Sequence, residues 1–483
     1  MEPQMNILLI NPDLSLSERY GILAKVGPTT EPLGLAYLAA AIRKAGHKVK
    51  IIDAAPLHYK PSDLIREIKK EKYDVIGVTF MTVMYLCAMD IVKSIRNIDK
   101  EVKIIVGGPH VTIMPEETLR NNTEIDYAVL GEGEYTVVEL LKAIKGNKPN
   151  SDVKGIAFFD KEKNKVVITP PRTPESEIDT FPAPARELLP MNLYTPTPTY
   201  YQKLPSYIIL TTRGCPFRCV YCSKMFGNVI RYHSVERVIE EIHILIKKYG
   251  AKEIIFRDDT FTINKQYVTK LCDEMIKQGI SKKIKWMCMT RVNLVDEKLL
   301  RIMKKAGCWS IHFGVESGSQ RILDIIQKDI TIEEIKRAFL LTRKVGIKTK
   351  AFFMLGLPTE TRKESLQTIK FSKELDPDGV QFTITVPYPG TKLFELAKKS
   401  GHMKSFKWED YQTWAGWTNK ELVYVSEGRS QEELKELQKR ALREFYLRPK
   451  VILRSMLHIK SWYILKAYFY GGLALIKSAF SKK

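Results

Sequence analysis

The most specific chemistry in the chain lies in three cysteines. Cys215, Cys219 and Cys222 fall within eight residues, in the run Thr212-Arg213-Gly214-Cys215-Pro216-Phe217-Arg218-Cys219-Val220-Tyr221-Cys222. Gly214 and Pro216 keep this run from forming a regular helix, so the thiols must sit on a loop. Thiolates at this density select a soft metal, and iron–sulfur clusters are ordinarily held by four cysteine thiolates. Here three are close and no fourth follows nearby. One iron of a four-iron cluster would then lack a protein ligand, and an open coordination position marks a reactive metal site. Arg213 and Arg218 flank the thiols and suit a negatively charged cluster or a carboxylate-bearing ligand. The competing reading is a set of structural or zinc-binding cysteines.

The elements that must position this loop can be read around it. An apolar, β-branched run over 207–212 predicts a buried strand that delivers the loop to one end of a sheet. Further strands are expected near 252–258, 284–289, 308–315, 347–355 and 379–386, with helical patterns between them. Six parallel strands with intervening helices predict an incomplete barrel, and such barrels carry their reactive groups at the carboxyl ends of the strands. Those ends hold Arg257-Asp258-Asp259-Thr260-Phe261, Thr290-Arg291-Val292-Asn293, Gly314-Val315-Glu316-Ser317-Gly318, Leu355-Gly356-Leu357-Pro358 and Pro387-Tyr388-Pro389-Gly390-Thr391. Asp259 precedes Thr260 and is equally placed to cap a helix.

Ahead of the barrel, residues 1–148 alternate strands (5–11, 48–53, 75–79, 103–106, 125–130) with amphipathic helices, which predicts an α/β, Rossmann-like, doubly wound parallel sheet. Its strand ends carry Thr79-Phe80-Met81-Thr82, Gly107-Gly108-Pro109-His110 and Gly131-Glu132-Gly133-Glu134, where glycine permits close backbone approach to a bulky ligand. No Gly-x-Gly-x-x-Gly follows the first strand, which argues against a dinucleotide. Residues 149–206 read as a hairpin and a proline-rich linker, a domain boundary. The barrel occupies 207–394 and a mostly helical region 395–483.

The Cys-x3-Cys-x2-Cys spacing with Tyr221 before the last cysteine resembles the radical S-adenosylmethionine (SAM) enzymes. That resemblance implies a [4Fe-4S] cluster on Cys215, Cys219 and Cys222, whose open iron chelates the amino and carboxylate groups of SAM, and a 5′-deoxyadenosyl radical that abstracts hydrogen. It also makes Asp-Asp-x-Phe and Gly-Val-Glu-Ser-Gly-Ser the SAM-contacting segments. Asp258 and Asp259 are expected to accept from the SAM amino group, Arg291 to pair with its carboxylate and Glu316 to accept from a ribose hydroxyl. With Gly-Gly-Pro-His and Gly-Glu-Gly-Glu at its strand ends, the N-terminal domain resembles the cobalamin-binding domain of B12-dependent radical SAM enzymes. Thr79, Gly107, Gly108, His110, Gly131 and Glu132 are the implied corrin contacts. The Asp-x-His-x-x-Gly signature is absent, so the implied cobalt has no histidine below it, and His110 is expected at the cofactor edge. Methyl transfer is the activity most often implied; cyclisation, ring contraction and oxidation are the alternatives, and a ferredoxin or flavodoxin is the expected electron donor.

At 483 residues the chain has room for two or three domains, and 44% hydrophobic and 27% charged residues are ordinary for a globular protein. Cys87, Cys272, Cys288 and Cys308 lie singly in apolar segments, which argues against a disulfide framework. The N-terminus opens into a strand without a basic, apolar leader, so a cytoplasmic location is expected. Most of the +22 net charge is spread over helix faces, and no nucleic-acid partner is expected. A tRNA-modifying methylthiotransferase would resemble its family in carrying further N-terminal cysteines, and only Cys87 stands there. The segment 448–483 has eight Lys or Arg and no Asp or Glu among Trp, Tyr, Phe and Leu. Its lysines interrupt any run of roughly 20 apolar residues, so it does not span a bilayer. It is expected instead to lie peripherally on the inner face of the cell membrane, with a lipid or isoprenoid as substrate; the alternative is a helical pair docked on the barrel.

Overall fold

The computed structural model describes residues 4–13, 28–146, 149–197, 200–418, 420–456, 465, 469, 470, 472 and 473. The chain divides into two compact units, the first taking in the opening strand and Glu31–Tyr194, the second Thr195–Ser223 and the described chain from Asn228 onward.

The first unit is a seven-stranded sheet. Its strands are β1 (Asn6–Asn11), β2 (Lys48–Asp53), β3 (Val75–Thr79), β4 (Lys103–Gly107), β5 (Tyr127–Val129), β6 (Ile156–Asp160) and β7 (Lys165–Ile168), ordered β2-β1-β3-β4-β5-β6-β7. Strands β1 to β5 are parallel, and their central residues, such as Ile7, Leu8, Leu9 and Ile10, are buried, as a sheet covered on both faces requires. The order reverses between β1 and β3, and in such sheets ligands bind beyond the carboxyl ends at that point.

The hairpin differs from expectation. β6 and β7 are not part of a linker: β6 pairs antiparallel with β5, with Ala128 opposite Ala157, and Ile156 and Ala157 are fully buried. The proline-rich stretch that follows is likewise packed, burying Ile178, Phe181, Ala185, Leu189, Met191 and Tyr194 in the first unit. Arg186 and Glu31 form a buried ion pair there at 3.5 Å, and the Tyr194 hydroxyl donates to Asp53 at 2.7 Å. The break between units falls after Tyr194, not at the hairpin.

The second unit holds β8 (Ser206–Ile209), a two-residue ribbon of β9 (Thr212–Arg213) and β10 (Arg231–Tyr232), then β11 (Glu253–Phe256), β12 (Lys285–Thr290), β13 (Cys308–Glu316), β14 (Lys348–Leu355) and β15 (Gly379–Ile384). Apart from the ribbon these strands form one parallel sheet in chain order, β8-β11-β12-β13-β14-β15, each joined to the next through helices. This is the expected open (β/α)6 arrangement. Helices on its outer face start at side-chain caps, Ser234 accepting from the Arg237 amide and Thr331 and Thr361 closing capping boxes with Glu334 and Glu364. Beyond the sheet, Trp408 and Trp417 are buried, and Ala415, Leu422, Val425 and Leu434 pack on Ile384 at the end of β15. The tryptophans serve packing.

The helix Pro449–Met456 is tied to Asp376 by Arg448 (3.2 Å), Lys450 (3.2 Å) and Arg454 (2.9 Å). The rest of the basic tail lies outside the described residues apart from five isolated positions. Among the described residues no helix is long and apolar enough to cross a membrane. Cys272, Cys288 and Cys308 are core residues, and the Cys87 thiol donates to the Met84 carbonyl at 3.0 Å.

Candidate active site

The cysteine loop starts two residues beyond β8 and is closed at its base by the β9–β10 ribbon, where Arg213 pairs with Arg231. Gly214 takes φ +97°, open to glycine at little cost, and turns the chain out of β9. The loop is fixed from two sides through Val220: its amide donates to the Ile326 carbonyl at 3.0 Å and its carbonyl accepts from the Leu393 amide at 2.8 Å. At the base stands Asp258, 1% exposed. One carboxylate oxygen accepts from the Thr211 and Thr212 amides (2.8 and 2.5 Å) and from both hydroxyls (2.9 and 2.8 Å). Asp258 therefore corrects the sequence expectation. The carboxylate expected to bind the SAM amino group is buried and uses one oxygen to organise the backbone beneath the loop, while Oδ2 is buried without a partner, and its burial pushes the carboxyl up to about 6.

The three sulfurs have distinct surroundings. Cys215 Sγ lies 3.8 Å from Thr260 Oγ1, and Cys219 Sγ accepts from Arg291 Nη1 at 3.5 Å. Desolvation, then the neighbouring Cys219 and Asp259, push the Cys222 thiol up to about 11, so a thiolate at Cys222 calls for a cationic centre. Among the described residues no group of three His, Cys, Asp or Glu side chains is arranged to hold a single metal ion. A four-iron cluster held by these three cysteines would take one iron from each and leave the fourth without a protein ligand. Arg291 is the second correction. Its guanidinium stacks 3.8 Å from the Phe217 ring centroid and donates to Cys219 and to the carbonyls of Lys328 and Asp329, so it is engaged with the loop and cluster side of the site.

Glu316 ends β13 in a left-handed conformation, φ +66°, at a register shift against β14. Strain at a charged residue is kept where the surroundings hold it, and Lys328 does so. Its ammonium sits 2.8 Å from Glu316 Oε1 and 3.0 Å from the Tyr221 hydroxyl. Burial, then Glu316, hold the Tyr221 hydroxyl well above its ordinary range, so it stays protonated. Lys328 and Phe217 were not picked out from sequence. Lys328 is carried by a turn with Gln327 and Asp329 at φ +53° and +50°, which no periodic pattern announces. Asp259 is exposed beside the loop.

On the first unit, Thr79, Gly107, Gly108, Gly131 and Glu132 all stand at carboxyl ends of β3, β4 and β5. Gly108 has φ +102°, and a Cβ there would lie 2.8 Å from both the Phe80 carbonyl and Thr79 Oγ1, so only glycine lets the ends of β3 and β4 close together. Gly131, at φ +71°, is exposed and its amide donates to Thr112 Oγ1 at 3.0 Å. His110 departs from the expectation of a cofactor-edge contact. Its ring is 1% exposed, packed 5.7 Å from Phe80 and 5.0 Å from Tyr85, with Nδ1 3.2 Å from Thr82 Oγ1. Burial holds it down to about 4, hence neutral.

A three-thiol loop at the end of the first strand of an open (β/α)6 sheet, behind a doubly wound domain with glycine-lined strand ends, defines a radical SAM enzyme with a corrin-type domain. The comparisons agree: the B12 binding domain family matches residues 20–141 and the radical SAM superfamily residues 209–372. An uncharacterized methyltransferase from Pyrococcus horikoshii is 39% identical over 96% of this chain and 97% of its own length. The anaerobic magnesium-protoporphyrin IX monomethyl ester cyclase of Rubrivivax gelatinosus is 30% identical over 84% of this chain and 72% of its own. Among solved structures, the radical SAM methyltransferase TsrM from Kitasatospora setae, with cobalamin and a [4Fe-4S] cluster bound, superposes with a TM-score of 0.72 at 17% identity, covering 99% of both chains. The chain belongs to the cobalamin-dependent radical SAM enzymes.

Proposed function

We propose that this chain transfers a methyl group to an unactivated carbon of a small-molecule substrate, using a [4Fe-4S] cluster, SAM and cobalamin, with a ferredoxin or flavodoxin as electron donor. The observation that carries the reading is the pairing, in one chain, of the Cys215–Cys219–Cys222 loop with a B12 binding domain. When bound, the cluster and SAM supply the hydrogen-abstracting radical and the corrin supplies the methyl group. The chain's own residues present and shield that chemistry. The three thiolates would hold a cluster with one iron left open, Arg291 places positive charge against Cys219, and the Lys328–Glu316 pair holds the strained end of β13 beside Tyr221. The likeness to the cyclase favours a second reading, radical cyclisation. Anaerobic reconstitution followed by product analysis separates them. Methyl transfer requires both 5′-deoxyadenosine and S-adenosylhomocysteine, whereas 5′-deoxyadenosine alone would reject it in favour of cyclisation or oxidation.

Peripheral membrane contact through 448–483 belongs to the same proposal and rests on its eight basic residues among aromatics. Co-sedimentation with anionic liposomes should fall when 457–483 are removed; equal binding by both chains would refute it.

A further inference from the structure

The inner face of the six-stranded sheet carries a row of basic side chains. Met289 of β12 pairs with His312 of β13, and His312 with Lys350 of β14. Phe256 pairs with Cys288, which brings Arg257, the next residue, beside Met289. Phe313 packs at 5.2 Å on Phe339, in the helix Ile332–Lys344 of the outer layer, so its neighbour His312 faces the other way, into the sheet's interior. One aromatic ring gathers the row: Tyr200 lies edge-on to His312 at 4.6 Å, 4.3 Å from Lys350 Nζ and 5.4 Å from the Arg257 guanidinium. Phe352 closes the far side of His312 at 5.7 Å.

Ring packing alone does not satisfy this grouping. His312 is 1% exposed and both its ring nitrogens are buried without a hydrogen-bond partner, a cost that core positions ordinarily avoid. Lys350 is 7% exposed. Burial, then Lys350 and Arg257, hold His312 well below its ordinary range, and burial, then Arg257, bring Lys350 down to about 7. An anion placed among these groups would relieve both effects, giving His312 a partner and offsetting the mutual repulsion. The row shares its face of β13 with the strand's carboxyl end. Gly314, two residues further along β13, has no side chain, and a Cβ there would strike Glu316 Oε1 and Lys328 Nζ. The basic row therefore sits about 6–7 Å along the strand from the layer that abuts Tyr221.

We propose that His312, Lys350 and Arg257 form the anion-binding end of the substrate site, so that the substrate carries a carboxylate or phosphate, with Tyr200 as the aromatic wall beside it. This rests on the reading of the chain as a radical SAM enzyme acting within this barrel, and it sets the substrate class apart from an uncharged hydrocarbon.

The test uses the reconstituted holoenzyme, titrated with inorganic phosphate and with acetate at an ionic strength held constant with chloride, reading the thermal midpoint and the apparent affinity. Saturable stabilisation by phosphate assigns a phosphorylated substrate, by acetate a carboxylate. Lys350→Met and His312→Phe should each weaken that anion at least tenfold. Arg257→Gln should weaken it less, and Lys350→Arg, which keeps the charge if Lys350→Met fails to fold, should retain it. No saturable response to either anion, or equal affinity in wild type and in the folded variants, overturns the proposal. SAM cleavage to 5′-deoxyadenosine is measured on the same samples. Cleavage without anion binding refutes the anion site alone, and anion binding without cleavage refutes the radical SAM reading alone.

Discussion

The two sheets present opposite kinds of edge to a ligand. At the carboxyl end of the second sheet the surface is made of charged side chains that hold one another: Arg291 against Cys219, Lys328 between Glu316 and Tyr221, and Asp258 gripping the two threonines below the loop. At the corresponding end of the first sheet glycine backbone forms part of the surface. Gly108 and Gly131 are left-handed, and the one histidine there is neutral and inside the core. The difference follows from what each edge must bind. A charged, compact metal centre needs fixed charges and fixed sulfurs, whereas a broad macrocycle needs a surface without protruding side chains. Precision resides in side chains on one sheet and in the lack of them on the other.

Four changes would break or sharpen that contrast. The largest effect is expected from Cys219→Ala, which removes one of the three thiolates. Bound iron and cluster absorbance should be lost along with 5′-deoxyadenosine formation, while the corrin spectrum of the first unit persists; retention of a full cluster would overturn the ligand set. Next, Lys328→Met leaves Glu316 charged and unpaired in a buried setting, for a loss of about 3 kcal/mol in denaturant unfolding. Adding Glu316→Gln should recover part of it, and an additive double mutant would mean that the pair is not coupled. On the other sheet, Gly108→Ala should cost roughly 2 kcal/mol and shift the corrin spectrum with SAM cleavage intact. The smallest effect concerns Glu364, which accepts from Ser319 beyond β13 at 2.9 Å. Its hydrogen bond to Arg321 holds the carboxyl down to about 2 from an ordinary 4.5. A lowered carboxylate contributes stability that is fully present above its unfolded value and lost as pH falls through its folded one. Arg321→Met should therefore cost about 1–2 kcal/mol at pH 7, and the gap from wild type should close between pH 4.5 and 2.

The rhythm of strand and helix was legible because it is local. The strand at 48–53 and the helix Leu33–Lys44 coincide with their apolar patterns, and the six strands of the second sheet begin within about two residues of where β-branched runs start. What stayed hidden is non-local. The hairpin read as part of a boundary because its partner, β5, is paired through two buried residues that no alternation marks. Proline in 170–190 reads as extended chain, while its buried residues, Ile178, Phe181 and Ala185, follow no period. In the site, the residue types were visible but not their allegiances. Asp258 finds its partners 46 and 47 residues back in the chain, at Thr212 and Thr211, and these occupy one of its two carboxylate oxygens.

Val220 sits between the second and third cysteines, yet its two backbone bonds reach Ile326, just ahead of the turn that carries Lys328, and Leu393, just past the sixth strand. Among the described residues β8 and β15 are the outer strands of this sheet and do not pair with each other. A single residue thus acts as a rivet across an otherwise open seam. The residue that spaces two of the sulfurs therefore also ties the start of the domain to the segment beyond its last strand, so a change at Val220 would disturb the loop and the seam together.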